Sequence, residues 1–532
     1  MSLPSPAPPL PGNRRLLPWL FCACVVMLAI FQFSENTADP DLWAHTLFGR
    51  HWLQTGHLEF TDTYSWTAAG QPWINHEVLA EAALGWAHQI AGGMGLWLLK
   101  VVVGLLSWSW AVRLGGAGLT GAARTVVWVV AAVAVVEISF GFAARPQIFT
   151  ALALVLELWL LRKVGQGRLA WAVALPVLFG LWINTHGGVV AGGVVLFVAV
   201  VAMTAQSVAQ RSTTQPVWRH LGVAWLAGAA SAAALLANPW GWRLIQWLIG
   251  SVLWLRPEID EWNPTAFGWD HAALYILLGL MVVAYGWSRR PKVWWELAVC
   301  VVLALLAVRS VRNTPLFALA ALAFIPEHFA DVLARYRQHF ERLANLMTIP
   351  SFCQALAMML ALLIPAIGVA TFTLHKDHPL TMEVPRGQYP VGAVQFLQQH
   401  GMHGNLLTFF DWGEMCLWEL PESKVSMDGR LDTCYSRELI REHWHLYNDE
   451  PVDATVLDIN RADVALLPVH LLGSVALAKK HGWQPVYLDA VAVVLVRDLK
   501  TFPQLTTLTL PVQGAPEATF GRAAFPDALR TH

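Results

Sequence analysis

The sequence predicts an all-α membrane domain of about eleven transmembrane helices, with amphipathic helices in its first outer loop, followed by a C-terminal soluble α/β domain. Three observations predict this. Only 13% of the 532 residues are charged and 56% are hydrophobic, against about 25% charged in soluble domains. Apolar runs of bilayer length succeed one another over most of the chain. After His375 the pattern changes to short strands alternating with helices. The 28 Trp residues suit membrane interfaces, where the ring is buried and its N–H stays wet. A net charge of −1 leaves no electrostatic footprint for nucleic acid.

Residues 1–15 are Pro-rich, end in Arg14-Arg15 and read as a disordered cytoplasmic segment. The first apolar run, Leu16 to Phe33, reads as a span. Cleavage as a signal peptide near Ala38 is the alternative, and the many spans that follow argue against it. Further runs start near Met94, Thr125, Gln147, Leu169, Val189, Trp218, Ala272, Val293, Thr314 and Ser351. The membrane domain therefore covers 16–374, with its outer loop at 34–93.

His76 to Ala91 is ambiguous. It is long enough for a short span, yet it carries Glu77, Glu81, His88 and Gln89. Leu79, Ala83, Trp86 and Ile90 form a stripe at helical spacing, which suits a helix lying in the interface. Topology separates the two readings. With a surface helix, Lys and Arg divide roughly 15 inside to 6 outside, as the positive-inside rule requires. A spanning helix would reverse that bias. The surface reading puts the N-terminus inside and the C-terminal domain in the periplasm, on a bacterial inner membrane.

In the C-terminal domain, 375–500, the segments Gly404–Phe409, Lys424–Met427, Asp463–Leu467, Pro485–Leu488 and Val491–Val496 read as strands. Val391–His400, Arg437–Tyr447 and Leu472–Lys480 read as helices. Residues 501–532 read as a loose tail. Cys416 and Cys434 either form a disulfide or remain two thiols, and no Cys/His spacing resembles a zinc site.

The chemistry-bearing residues cluster at the outer ends of spans. Asp39-Pro40-Asp41 opens a helix: Asp39 fits the N-cap, Pro40 the first helical position and Asp41 the first turn. Asp41 is not needed as a cap. It can act as a base toward an acceptor hydroxyl, or join Asp39 in holding a divalent metal, Mg or Mn. His76 and Glu77 sit where the chain enters the surface helix, with ordinary capping as the bland reading. Asn184, His186 and Asn238 lie at outer loop positions. Arg145, Arg309 and Arg312 are cations on the side that the positive-inside rule disfavours, so an anion is their natural partner. A lipid-linked phosphate fits, because guanidinium binds it in bidentate fashion. Pairing with Glu258, Asp260 or Glu261 is the structural alternative. Asp411 and Trp412 follow one strand, and Asp428 and Arg430 another, where turn roles are common.

At these residues the sequence resembles the GT-C superfamily of integral-membrane glycosyltransferases. Asp39-Pro40-Asp41, running into LWAHTLFGRHWLQTGHL, looks like the first outer loop of aminoarabinose transferases and protein mannosyltransferases. Gln71–Ala91 resembles their interfacial helix. Phe410-Asp411-Trp412-Gly413 with Asp428-Gly429-Arg430 is similar to the Trp-Trp-Asp-Tyr-Gly region of oligosaccharyltransferase catalytic subunits, although the motif is degenerate here and a second acidic pair is lacking apart from Glu258, Asp260 and Glu261. Residues 35–500 also resemble a widespread group of bacterial membrane proteins with Asp-Pro-Asp-Leu-Trp, Trp-x-x-His-Glu, Arg-Pro-Gln, Asn-x-His-Gly-Gly and Asn-Pro-x-Gly patterns.

The resemblance implies a GT-C-like fold and transfer of a sugar from a polyprenyl-phosphate-linked donor to a glycan, lipid or protein acceptor. It casts Asp41 and Asp39 as catalytic, and Arg145, Arg309 and Arg312 as the phosphate site. His76, Glu77, Asn184, His186 and Asn238 would line the cavity, and Asp411, Trp412, Asp428 and Arg430 would contact the acceptor. Membrane lipids are expected partners. A non-catalytic scaffold or glycan- and lipid-binding protein of envelope polysaccharide assembly is the alternative. A transporter is disfavoured, because no repeated halves and few midplane charges are present. An enzyme requires Asp41 and at least one of the three arginines around one cavity, within about 10 Å of each other.

Overall fold

A computed structural model describes residues 13–120, 123–211, 215–252, 254, 256, 259–346, 368, 377–508 and 522–526. The apolar runs fold into helices: α1 (Asn13–Phe33), α4 (Arg124–Ser139), α5 (Gln147–Gly165), α6 (Ala174–Trp182), α7 (Val189–Ala209), α8 (Gln215–Ala234), α10 (Ala272–Trp287), α11 (Trp294–Arg309) and α12 (Thr314–Leu346). In the outer loop lie α2 (Leu42–Thr55) and the start of α3 (Val78–Gly115), and a short amphipathic α9 (Trp242–Val252) lies between α8 and α10. Among the described residues four segments are long and apolar enough to cross a bilayer: Val78–Gly115, Val189–Ala209, Trp269–Trp287 and Val311–Tyr336. Trp19–Phe33 and Leu169–Trp182 are shorter apolar helices. The run beginning at Ser351 lies outside the described residues.

The ambiguous segment is the first arm of α3. The helix breaks at Ala91 and Gly92, where Gly92 takes φ 57°, a value favoured by glycine. Residues 93–115 beyond the break measure about 34 Å at 1.5 Å per residue, the thickness of a bilayer core. On the first arm Leu79, Trp86 and Ile90 are exposed, as the predicted stripe requires. The opposite face packs on α2. The two helices cross at Gly49 and Gly85, so close that a Cβ on Gly85 would lie 2.5 Å from the Arg50 backbone nitrogen.

After α12 the chain builds a five-stranded mixed sheet in the order β3-β2-β4-β6-β5, from β2 (Asn405–Thr408), β3 (Lys424–Val425), β4 (Val464–Pro468), β5 (Gln484–Leu488) and β6 (Ala492–Val496). Its helices are α13 (Val391–Gln399), α14 (Gly413–Glu419), α15 (Arg437–Tyr447) and α16 (Leu472–Lys480). All five predicted strands are present. Strands β4 and β6 are wholly buried, which explains their continuous apolar runs.

The core has two parts. One lies among the membrane helices; the other joins α2 and the first arm of α3 to the sheet, with Leu42 and Trp43 fully buried. The segment after 501 departs from expectation at its end. Strand β7 (Arg522–Ala524) pairs antiparallel with β1 (Glu383–Pro385), and Phe525 packs 5.1 Å from Trp43. Ala523 and Phe525 alternate inward, and Arg522 pairs with Glu383 at 3.0 Å. This edge pairing orders residues whose composition alone reads as loose. Cys416 and Cys434 are buried free thiols.

Candidate active site

Helix α2 begins two residues later than its sequence suggests. Asp41 occupies the N-cap position without a side-chain capping bond. Asp39 accepts the Asp41 backbone N–H instead, at 3.1 Å, so it keeps a capping role at the bend that leads in. The Asp41 carboxylate is thereby left for other partners.

Those partners come from the loop before α5. Arg145 Nε pairs with Asp39 Oδ1, its Nη2 lies 3.3 Å from Asp41 Oδ2, and its Nη1 lies 3.8 Å from Glu261 Oε1. Glu261 also takes Arg312 Nη1 at 3.0 Å. Arg312 Nη2 approaches His186 Nε2 at 3.0 Å. On its other side His186 Nδ1 lies 2.9 Å from Thr150 Oγ1 and 3.0 Å from the Gly188 backbone nitrogen. His186 is neutral, because burial and the Arg312 charge press its pKa well below the usual value.

The Gly49–Gly85 crossing sets a second group beside the first. Asp41, His45 and Gly49 follow at four-residue steps on α2, and Glu77, Glu81 and Gly85 do so on α3, so each triplet shares a helix face. His45 Nδ1 lies 3.3 Å from Glu81 Oε1 and 3.9 Å from Glu77 Oε2. Asn75 Nδ2 donates to the other Glu81 oxygen at 2.6 Å. Burial opposes a charge on His45, but the hydrogen bond to Glu81 and the charges of Glu77, Glu81 and Asp41 overcome it and lift its pKa to about 9. Burial raises Glu77 to about 7 against the pull of His45. His76 stacks 4.7 Å from Trp247 of α9, and burial together with Arg312 lowers it to about 3.

The C-terminal sheet closes the site. Glu414, at the start of α14, accepts the Ala44 N–H at 3.3 Å. The carboxyls of Asp41 and Glu414 converge on Gly429, where a Cβ would lie 2.5 Å from Glu414 Oε1 and would displace these carboxyl ends. Burial raises the pKa of Asp41 against Arg145, with Asp39 adding to the rise. Burial, then Asp41 and Asp428, holds Glu414 well above the carboxylate range. Asp411 rises to about 6 through its recessed position and the nearby Asp41.

A cavity of about 620 Å³ unites these groups, with Asp41, Glu77, His186, Arg312 and Asp411 in its wall. Two solved structures align with nearly the whole chain. ArnT from Cupriavidus metallidurans bound to undecaprenyl phosphate matches with a TM-score of 0.51 at 12% identity, over 92% of this chain and 99% of that one. The apo form of the same protein matches with a TM-score of 0.52 at 15% identity, over 91% and 98%. The fold is therefore similar to that of ArnT. No protein-family model matches the chain, and no curated protein does.

On this ArnT-like fold the predicted residues divide. Asp39, Asp41, Arg145, His76, Glu77, His186, Arg312 and Asp411 surround one centre. Arg309 does not join them: it is exposed on the last turn of α11, away from the cavity wall. Asn184 donates to the Gly180 and Ala237 carbonyls, and Asn238 organises its own turn through Leu235, Trp240 and Gly241. Trp412 is buried and donates to the Gln388 carbonyl at 2.9 Å. Asp428 is wholly buried against Arg430 and Tyr435. Arg145 is occupied by three carboxylates, as the pairing alternative anticipates, and Arg312 by one. Asp39 and Asp41 share Arg145 and are poor cation ligands for that reason. Among the described residues the group with metal-ligand spacing is His45, Glu77 and Glu81, whose ligand atoms lie within 4.8 Å of one another. His45, Glu81, Glu261 as a bridge between arginines, and Glu414 were not assigned roles from sequence. The matched four-residue spacing on α2 and α3 is the signal that points to the first two.

Proposed function

We propose that the chain is a glycosyltransferase. It moves a sugar from a polyprenyl-phosphate-linked donor to an acceptor hydroxyl at the outer face of the inner membrane. The observation that carries this reading is the single cavity in which Asp41 and Arg312 are joined through Arg145 and Glu261. Asp41, Arg145 and Arg312 all line this cavity, with Asp41 and Arg145 3.3 Å apart, which supports the reading. The undecaprenyl phosphate held by ArnT supports the donor class, by likeness of fold.

In this reading Asp41 takes the acceptor's hydroxyl proton as the acceptor oxygen bonds the anomeric carbon. The bond from that carbon to the phosphate oxygen breaks, and its electron pair leaves with the polyprenyl phosphate. Arg312 replaces its one carboxylate partner with that phosphate and stabilises the departing charge. A raised pKa makes Asp41 a stronger base, and Arg145 keeps it ionised. Where the reaction uses a divalent cation, His45, Glu77 and Glu81 would hold it, one helical turn from Asp41, in exchange for the His45 proton. Asp41→Asn keeps the shape and removes the base. Transfer should fall by about 10²–10⁴, while membrane insertion and unfolding temperature stay unchanged. Full transfer by that variant eliminates Asp41 as the base.

A further inference from the structure

A second cavity, of about 640 Å³, lies on the other side of the Asp39–Arg145 pair. Its position follows from the sheet. Strands β2 and β4 are parallel neighbours, with Leu406 beside Val464 and Thr408 beside Leu466. From β2 the chain crosses to one side to form β3, then returns past β2 to form β4 on the other. The direction of winding reverses between β2 and β4, and in open α/β sheets ligands bind off the carboxyl ends of the strands at such a reversal. The second cavity opens there. Phe409 and Asp411 follow β2, Pro468 ends β4 and His470 follows it, and Ala490 lies in the β5–β6 turn at the same end.

The two cavities differ in chemistry. The first has four arginines among its acids, Arg145, Arg256, Arg312 and Arg430, and Arg312, held by one carboxylate, suits phosphate; the second has no arginine among the described residues of its wall. The second presents the carboxylates of Glu35, Asp39 and Asp411 together with the rings of Phe142 and Phe409, and Lys100 is the lysine in its wall. Carboxylates repel a phosphate and accept hydroxyl hydrogens, and rings cover the apolar faces of a sugar. Asp411 lines both cavities, so the second meets the first at that side chain.

We propose that this crevice binds the hydroxyl-rich saccharide headgroup of the acceptor. The inference rests on the transferase reading and assigns its acceptor side. Two sources share this chemistry, a free glycan and a glycolipid. The test uses the full chain in lipid nanodiscs, with maltotetraose and a diacylglycerol glucoside as separate probes and undecaprenyl phosphate as the donor-side probe. Saturation-transfer NMR should show contact with the sugar protons of one probe, and which one identifies the source. Ala490→Trp, which fills the crevice from the half-buried β5–β6 turn, should abolish that signal. His470→Ala, at an exposed rim position, should weaken it at least threefold. Undecaprenyl phosphate binding should be unchanged in both variants, which also reports that they are folded. No sugar signal from either probe, or a signal that survives both substitutions, overturns the crevice and leaves the donor reading standing. Failure of the unaltered protein to bind undecaprenyl phosphate, with the sugar signal present, overturns the donor side instead.

Discussion

Arg145 and Arg430 each gather carboxylates from distant parts of the chain, but their surroundings differ. Arg430 reaches Asp62 at 2.7 Å and Asp428 at 2.8 Å, and its guanidinium lies within 4.9–5.8 Å of the rings of Phe48, Tyr64, Trp73 and Tyr435. Its side chain is 4% exposed, whereas that of Arg145 is 20% exposed between two cavities. With its acids enclosed beside it, Arg430 fastens the outer loop to the C-terminal sheet. Arg145 fastens less and faces solvent more. Charge pairing alone therefore does not mark a reactive site; access does. The sharpest test is Arg430→Met. It strands the wholly buried Asp62 and Asp428, and breaking a buried pair in this way costs about 3–5 kcal/mol. Thermal unfolding in detergent should record that loss. A variant as stable as the parent would remove the distinction.

Arg145→Ala should have the converse profile, a smaller loss of stability and a larger change in rate. Arg145 lowers the pKa of Asp41 against burial. Without it the carboxyl rises further and is protonated over more of the neutral range. Transfer at neutral pH should fall, and the acid limb of the rate–pH curve should move to higher pH. A uniform drop at every pH would show instead that Arg145 acts only on structure.

The sequence made one half of this comparison legible and obscured the other. Asp41 and Arg145 stand out because a spare acid and a misplaced cation at span ends need explaining. The strands of the sheet stand out through their apolar runs, and α15 has the predicted bounds, Arg437–Tyr447. Asp428 and Arg430 read as turn residues able to meet an acceptor. Nothing near them in sequence announces that residues 48, 62, 64 and 73 return to enclose them. His45 and Glu81 were hidden for a related reason: their pairing depends on two helices crossing at Gly49 and Gly85. Phe525 is ordered by a strand pairing between residues 139 apart in the chain, Val384 of β1 with Ala523, and composition carries no trace of such a partner.

The smallest expected effect separates the two clusters by pH. His45 rises from 6.5 to about 9 in the folded chain, so the folded state holds this proton more tightly than the unfolded one. Its contribution to stability is complete below pH 6.5 and is lost as pH rises through about 9. Glu77, raised from 4.5 to about 7, removes stability over the lower interval in the same direction. The unfolding temperature of the parent should therefore decline between pH 6.5 and 9. His45→Asn, which keeps a polar side chain and removes the proton, should flatten that decline. The deficit of Arg430→Met should stay constant across the same interval, because guanidinium keeps its charge there. A decline that persists unchanged in His45→Asn would place the pH sensitivity on groups other than His45.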